Sequence, residues 1–456
     1  MTSVSNTHPR QWLAIGSAAA LALTFIASGP AFAANPDPDP EQVTFADDVA
    51  PILQENCQIC HQPGAIGPMS LMTYDEVRPW AQVIKLRVAN QEMPPYHYDT
   101  DVGIQDLKYD KRLSDEEIAT IVNWVDAGLP TGDLASIPPT PEFPKAGVWQ
   151  LADSYGRQPD LVVAADPYTV EAGGQDRWWQ PTVPTGLTED RCIRAIETKP
   201  SVEGRGVTHH ANSSLRFPGT DEMQSARLSE YALGKLGEII PEDACRIIPA
   251  GSEVSWDIHY FPGWAENDVP DDQVEVGLWF YGDEEDTSDL YRQTLSLYRL
   301  QGQGTDYAIA PHGTMMTQGF HSFDHPVRID SFQPHGHLRM TGMKLEIFYP
   351  QTGRKEVVSQ VSNWSPLWHL SHVYEDHAAP LIPAGAVLVL TGYYDNTADN
   401  PHNPDPNQWV GSGDRTSDEM SHAWIAVTHL DDEGFERLVA EREARNVAAD
   451  RTAGDN

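Results

Sequence analysis

The chain has 456 residues, a formal charge of −37 and a hydrophobic content of 40%. Its length exceeds what one hydrophobic core serves, so two to four domains are expected. The charge excludes nucleic acid and anionic membrane surfaces as partners, because both would repel it.

Residues 1–33 read as a secretory signal peptide. Arg10 supplies a positive charge, an apolar run extends from Trp12 to Ala27, and Ala31-Phe32-Ala33 makes a small-residue cleavage site. Ser17 and Gly29-Pro30 leave that run short for a membrane anchor, and no later segment is long and apolar enough to span a bilayer. A periplasmic location without stable membrane insertion is therefore expected. Residues 34–42 form a stiff, acidic, proline-rich spacer.

A compact helical unit is expected over 43–134. Its last helix carries a capping box, Ser114 with Glu117, and an apolar stripe of Ile118, Ile121, Val122 and Val125, and it ends at Gly128 and Pro130. Residues 135–155 contain Pro138, Pro139, Pro141 and Pro144 and read as a linker. Beyond it the pattern alternates with period two. Val254, Trp256, Ile258 and Tyr260 interleave with Ser255, Asp257 and His259; Val327 and Ile329 interleave with Arg328 and Asp330; Val387 to Leu390 is apolar throughout. This predicts two antiparallel β-sandwiches, 156–300 and 301–430, with a weak break near Gln301 to Gly304. Residues 431–456 form a charged tail, read as a short helix that frays.

The four cysteines fall into two groups: Cys57 and Cys60 lie close together, Cys192 and Cys245 far apart. In an exported protein this suggests one attachment motif and one disulfide, with two buried free thiols as the other reading of the second pair. Cys57-Gln-Ile-Cys60-His61 is the pattern of covalent c-type haem attachment: two thiols meet the two vinyl groups, and the following histidine lies under the iron. A redox-active CxxC is the competing reading. Met93, in Glu92-Met93-Pro94-Pro95, is the preferred sixth ligand, with Met69, Met72 and His97 as rivals. The segment 43–134 resembles small all-α cytochrome c domains, which often carry such a Met-Pro loop before a Leu-Ser-Asp-Glu-Glu helix, here Leu113 to Glu117.

The β region is rich in histidine. His209-His210, His259-Tyr260, His335-Gly336-His337 and Met420 in Asp418-Glu419-Met420 occur in that order, and the HxH spacing would place two imidazoles on one face of a strand. Two histidines plus a thioether favour copper, Cu(I) in particular, because sulfur is soft. Taken together, these pieces resemble the copper type II (ascorbate-dependent) monooxygenases, a family that includes peptidylglycine α-hydroxylating monooxygenase and dopamine β-monooxygenase. The likeness covers roughly residues 160–430. It extends to Tyr393-Tyr394-Asp395-Asn396, the segment Asn400 to Pro406, and Gly411, which look like bacterial members with a fused cytochrome.

The resemblance implies a jelly-roll-like pair of sandwiches and two copper ions. His209, His210 and His259 would hold an electron-transfer copper. His335, His337 and Met420 would form the catalytic, oxygen-binding copper site. It also implies a Cys192–Cys245 disulfide in the first sandwich. The implied reaction is hydroxylation of an sp3 C–H bond of a small-molecule substrate by O2. Electrons would come from a periplasmic donor and pass through one covalently bound haem c. Adjacent residues on a regular strand face opposite ways, so His209 and His210 require a bulge or twist. Peptide-hydroxylating relatives grip a carboxylate at positions that are Gln333, His422 and Trp424 here, which argues against a peptide substrate. Trp364, Trp368, Trp424 and Phe332 hint at an apolar one. The chief alternative is a haem–copper electron-transfer or copper-binding protein without oxygenase chemistry. A multicopper oxidase would need a blue-copper cysteine and several HxH motifs, which the chain lacks.

Overall fold

The computed structural model describes residues 43–454, apart from 64–66, 97, 144–146, 174, 218–224, 233–236, 264, 301–306 and 367. The expected signal peptide, the spacer, His97 and the break near residue 301 lie outside the described residues. The architecture is mostly β-sheet with few helices. No helix among the described residues is long and apolar enough to cross a membrane.

The first part is helical: α1 Ala50–Asn56, α2 Ala81–Ala89 and α3 Asp115–Asp126. The capping box is present at α3. The Ser114 hydroxyl accepts from the Glu117 amide, and the Glu117 carboxylate accepts from the Ser114 amide at 2.8 Å. The buried face of α3 differs slightly from the expected stripe. Ile121, Trp124 and Val125 are its buried residues, so Trp124 takes the place read for Val122. Phe45, Leu53, Leu71 and Val77 close this small core around Trp124. Residues 149–155, read as the end of the linker, are in fact packed. Trp149 and Leu151 join Trp279 in a satellite core, and the Gln150 and Leu151 amides donate to the Glu197 carboxylate at 2.9 Å each.

The β region runs β1 Leu161–Ala164, β2 Arg177–Trp179, β3 Arg191–Lys199, β4 Thr208–Arg216, β5 Ser225–Ala232, β6 Ala244–Ile248, β7 Glu253–Tyr260, β8 Glu275–Phe280, β9 Tyr291–Arg299, β10 Thr314–Ser322, β11 Val327–His335, β12 Met340–Tyr349, β13 Arg354–Val361, β14 His372–Tyr374, β15 Val387–Asp395 and β16 His422–His429. In the first half, β6–β3–β8–β1 faces β5–β4–β7, and Ile193, Ile196, Trp256, Ile258, Val276 and Leu278 fill the space between. In the second, β14–β11–β16–β9 faces β10–β15–β12–β13 around Ile329, Phe332, Leu345, Leu388, Leu390 and Ile425. The alternation read for β7 holds: Val254, Trp256, Ile258 and Tyr260 are all buried.

Strand β9 belongs to both halves. It pairs with β16 from Arg292 to Arg299 and also with β6 and β5, the β6 pairing being parallel rather than antiparallel. The division placed at residue 300 therefore follows a strand shared by one continuous sheet. The polar side of β11 is buried at this junction rather than solvated. Arg328 bonds both oxygens of Asp243, at 2.7 and 2.8 Å, and Asp330. Gln293 links Asp330 to Arg246. Such buried charges are tolerated because each is paired and hydrogen-bonded.

The helical part is fastened to the second half by the segment after α2. Leu107 and Lys108 pair with Tyr374 and Val373 of β14, and the Asp99 carboxylate accepts from the Ser362 amide at 2.9 Å. A Cβ at Gly103 (φ +76°) would sit 2.2 Å from the Val358 carbonyl, so only glycine permits this approach. Tyr98 and Leu107 lie in the core of the second half. The tail is longer and more regular than expected, one helix α4, Asp432–Gly454.

Cys192 on β3 and Cys245 on β6 form a disulfide with a sequence separation of 53, and Cys57 and Cys60 are free thiols. Replacing Cys192 and Cys245 with serine should lower unfolding free energy by about 3–4 kcal/mol, the loop-closure contribution for a loop of this size. Denaturant titration with and without reductant measures it, and equal midpoints for oxidised and reduced wild type would contradict it.

Candidate metal centres

Strands β4 and β7 are antiparallel neighbours with a register shift at their ends. His259 lies opposite His210, while Tyr260 lies opposite Thr208. His209 is thus the extra residue of a bulge, the device its shared orientation with His210 requires. The three rings converge. His209 Nδ1 is 3.3 Å from His259 Nδ1, which is 3.2 Å from His210 Nε2. Among the described residues this is the one group whose ligand atoms all lie within 4.8 Å of one another.

The geometry fits a metal. Three nitrogens at about 2.0 Å from a common ion are separated by about 3.3–3.5 Å in tetrahedral or trigonal arrangement. The opposite nitrogen of His259, Nε2, lies 3.1 Å from the Asp176 carboxylate. With Nε2 beside that carboxylate, Nδ1 is the nitrogen that faces the other two rings. Trp178, opposite His259 on β2, stacks on its ring at 4.5 Å and 4°. Burial, then the neighbouring His259 and His337, push His209 down to about 4. Burial likewise holds His210 well below the usual histidine range. The rings are therefore neutral near pH 7, the state a metal ligand needs.

The second group gathers around the end of β11. His335 is the last residue of that strand, and His337 lies beyond it in the connection to β12. The shared strand face read from the HxH spacing thus does not apply. The two rings still meet, at 5.5 Å and 77°. Met340 packs directly against Gly336, where a Cβ would lie 2.3 Å from its Sδ. Met420 is tied to this pair through its neighbour Glu419. The Glu419 Oε1 accepts from the backbone amides of both His337 and Met420, and Oε2 accepts from the Arg339 amide at 2.8 Å. The His337 ring contacts the Asp418 carbonyl at 3.3 Å through Nδ1. One buried carboxylate thus ties the backbones of His337 and Met420 together, and the His335 and His337 rings lie near each other.

Two histidines absent from the predicted ligand sets join this group. His422, opposite His335 on β16, stacks on it at 4.4 Å and 22°. His369 lies edge-on to His335 at 4.8 Å and 89°, and 6.0 Å from both His209 and His210. The two groups therefore share one wall of the molecule. A solitary histidine in an irregular segment has no periodic pattern to single it out, and Asp176 and Glu419 are visible only by their partners.

The residues at the carboxylate-gripping positions are otherwise engaged. Gln333 donates to Glu230 and accepts from Ser371 at 2.6 Å. His422 is stacked on His335, and Trp424 lies under the Arg227 guanidinium at 4.2 Å. Trp364 and Phe332 are buried.

In the helical part, Cys57 closes α1 and the His61 amide donates to the Cys57 carbonyl at 3.0 Å. His61 Nδ1 lies 3.2 Å from the Met69 carbonyl, leaving Nε2 for a ligand. Burial, then Cys60 and Glu117, push the Cys57 thiol up to about 12. Met93 lines a small cavity with Val88, Tyr96 and Ile118. Met69 meets His61 through its carbonyl.

No family model matches the chain, and no curated protein matches it. Among solved structures, a secreted protein from Parabacteroides distasonis is 8% identical with a TM-score of 0.15, covering 62% of this chain and 96% of that one. The infectious bursal disease virus Gt strain is 8% identical with a TM-score of 0.15, covering 59% of this chain and 72% of that one. The 11S allergen of Cocos nucifera is 8% identical with a TM-score of 0.14, covering 59% and 90%. Likeness at this level carries no inference.

Proposed function

We propose that this chain is a periplasmic copper-dependent monooxygenase that hydroxylates an sp3 C–H bond of a small organic substrate, with a c-type haem on its helical part. The observation that carries the reading is the convergence of His209, His210 and His259 from two neighbouring strands, beside a second group built on His335, His337 and the Met420 segment. The donor chemistry agrees. Neutral imidazoles suit copper, a thioether favours Cu(I), and the Asp176 carboxylate lies 3.1 Å from the far nitrogen of His259. Copper held by these residues supplies one-electron redox chemistry and the activation of O2. Cys57, Cys60, His61 and Met93 would hold a covalent haem, which would supply a one-electron store.

The remaining work falls to the protein itself. Glu419 fixes Met420 and His337 relative to each other, so the second donor set is preorganised. The Gln333–Glu230 and Arg328–Asp243 bonds bind the two halves and keep the two groups adjacent. Gln333, His422 and Trp424 are each engaged by other residues of the chain, which argues against a peptide carboxylate held by them. The disulfide and the free CxxCH thiols fit an exported chain carrying attached haem.

The test is metal and haem analysis followed by turnover under ¹⁸O2. Two coppers and one covalent haem per chain, with ¹⁸O in the hydroxylated product, are expected. Bound copper and haem without O2 consumption across a screen of small hydrocarbons, alcohols and aromatics would favour the electron-transfer alternative.

A further inference from the structure

Cross-strand partners share a face of their sheet. On β11, β16 and β9 this sets rows side by side. His335, His422 and Arg299 form the row that carries the second histidine group, and Gln333, Trp424 and Leu297 form the next. Beyond it, Ala426 lies opposite Leu295, and Leu295 lies opposite Arg227 of β5. Contacts run unbroken from Arg227 back to the histidines. Its guanidinium lies over Trp424 at 4.2 Å, the Trp424 and His422 rings are 6.0 Å apart at 72°, and His422 stacks on His335 at 4.4 Å. Leu295, Leu297, Trp424 and Ala426 make the strip between them apolar.

Arg227 is half-buried in this strip and has no counter-ion. No described carboxylate forms an ion pair with it. Glu230 and Asp257 act on it from a distance, but Glu230 accepts from Gln333 and Asp257 accepts from Gln180. The buried arginines of neighbouring strands differ: Arg246 pairs with Glu238, and Arg328 pairs with Asp243 and Asp330. Burial pushes the Arg227 guanidinium down from its usual range, the cost of taking a charge out of water unpaired. The face of Trp424 compensates part of that cost and leaves the N–H edge of the guanidinium for an acceptor.

We propose that Arg227 is the specificity-determining residue of the substrate site, binding the oxyanion of a small carboxylate whose apolar body lies along Trp424 and Leu297 toward His335. The substrate class rests on the monooxygenase reading above. Guanidinium and carboxylate match as planar groups joined by two parallel hydrogen bonds, so arginine suits this role better than lysine. Trp424 and His422 are two residues apart on one strand, about 7 Å, so the carbon presented to the second group lies roughly five or six bonds from the carboxylate.

Hexanoate and hexanamide share a size and an apolar body and differ in charge. Calorimetry on the full-length, haem-loaded protein before copper is added measures both without any carboxylate–copper contact. Wild type should bind hexanoate at least about tenfold more tightly than hexanamide. Arg227→Gln should erase that preference, with hexanamide binding, haem content and copper uptake as in wild type. Arg227→Lys, which keeps the charge and loses the planar fork, should retain only part of it. Equal binding of the two probes by wild type, or a preference undiminished in either variant, would overturn the proposal. With copper loaded under ¹⁸O2, hexanoate held through Arg227 but never hydroxylated would leave the anion site standing and overturn the monooxygenase reading. Hydroxylation of hexanamide as efficient as that of hexanoate would do the reverse.

Discussion

Met420→Ala is expected to reduce hydroxylation at least about a hundredfold, the upper range for disturbing the surroundings of a metal site. Haem content, secondary structure and copper at the His209/His210/His259 group should remain unchanged. The separation follows from the geometry. Met420 lies outside the regular strands, two residues before β16, with a side chain only partly buried. Its truncation removes a soft donor but breaks no sheet pairing. The Glu419 carboxylate would still hold the backbone of residue 420 to that of His337. The expected loss is therefore chemical rather than structural. ¹⁸O incorporation, haem absorbance and copper content measured on one preparation decide it, and undiminished hydroxylation in the variant would remove Met420 from the catalytic site.

Acid should release copper from the three-histidine group only near pH 4. Ligating imidazoles must be neutral, so protons compete with the metal wherever the free rings titrate. An exposed histidine titrates near pH 6.5. Here burial depresses the rings, His209 to about 4 and His210 well below the usual histidine range. The sign follows directly. The folded rings bind fewer protons than the unfolded ones between pH 4 and 6.5, so acidification through that window penalises the metal-free fold without yet protonating the ligands. Below about pH 4 His209 takes up a proton and the triad loses a donor. Bound copper measured by dialysis should be flat from pH 8 to about 5 and collapse below. The metal-free protein should lose thermal stability already between pH 6.5 and 4. Copper release centred near pH 6.5 would mean that the three rings are solvated and not preorganised.

The two expectations rest on different kinds of legibility. The triad was readable because its members sit in or beside patterned strands. His259 occupies the polar phase of an alternating run, and the impossibility of aiming His209 and His210 together from a regular strand required the bulge now seen between Thr208 and His210. The capping box of α3 was equally plain, since it depends on four consecutive residues. The HxH pair does not share a strand face: β11 ends at His335, and beyond it Glu419 holds the backbone of His337.

By itself, then, the chain order determined the local periodicities, the caps, the attachment motif and the donor types, because each arises from contacts within a few residues. Only the tertiary structure decided which strand β9 would serve, that the segment from Tyr98 to Lys108 would dock on β13 and β14, that Arg328 and Asp330 would be buried against Asp243, and that His369 would stand between the two histidine groups. Those outcomes depend on pairing surfaces far apart in the chain. There, satisfying buried polar groups and filling a common core outweighs any local preference, and no spacing along the chain reports the result.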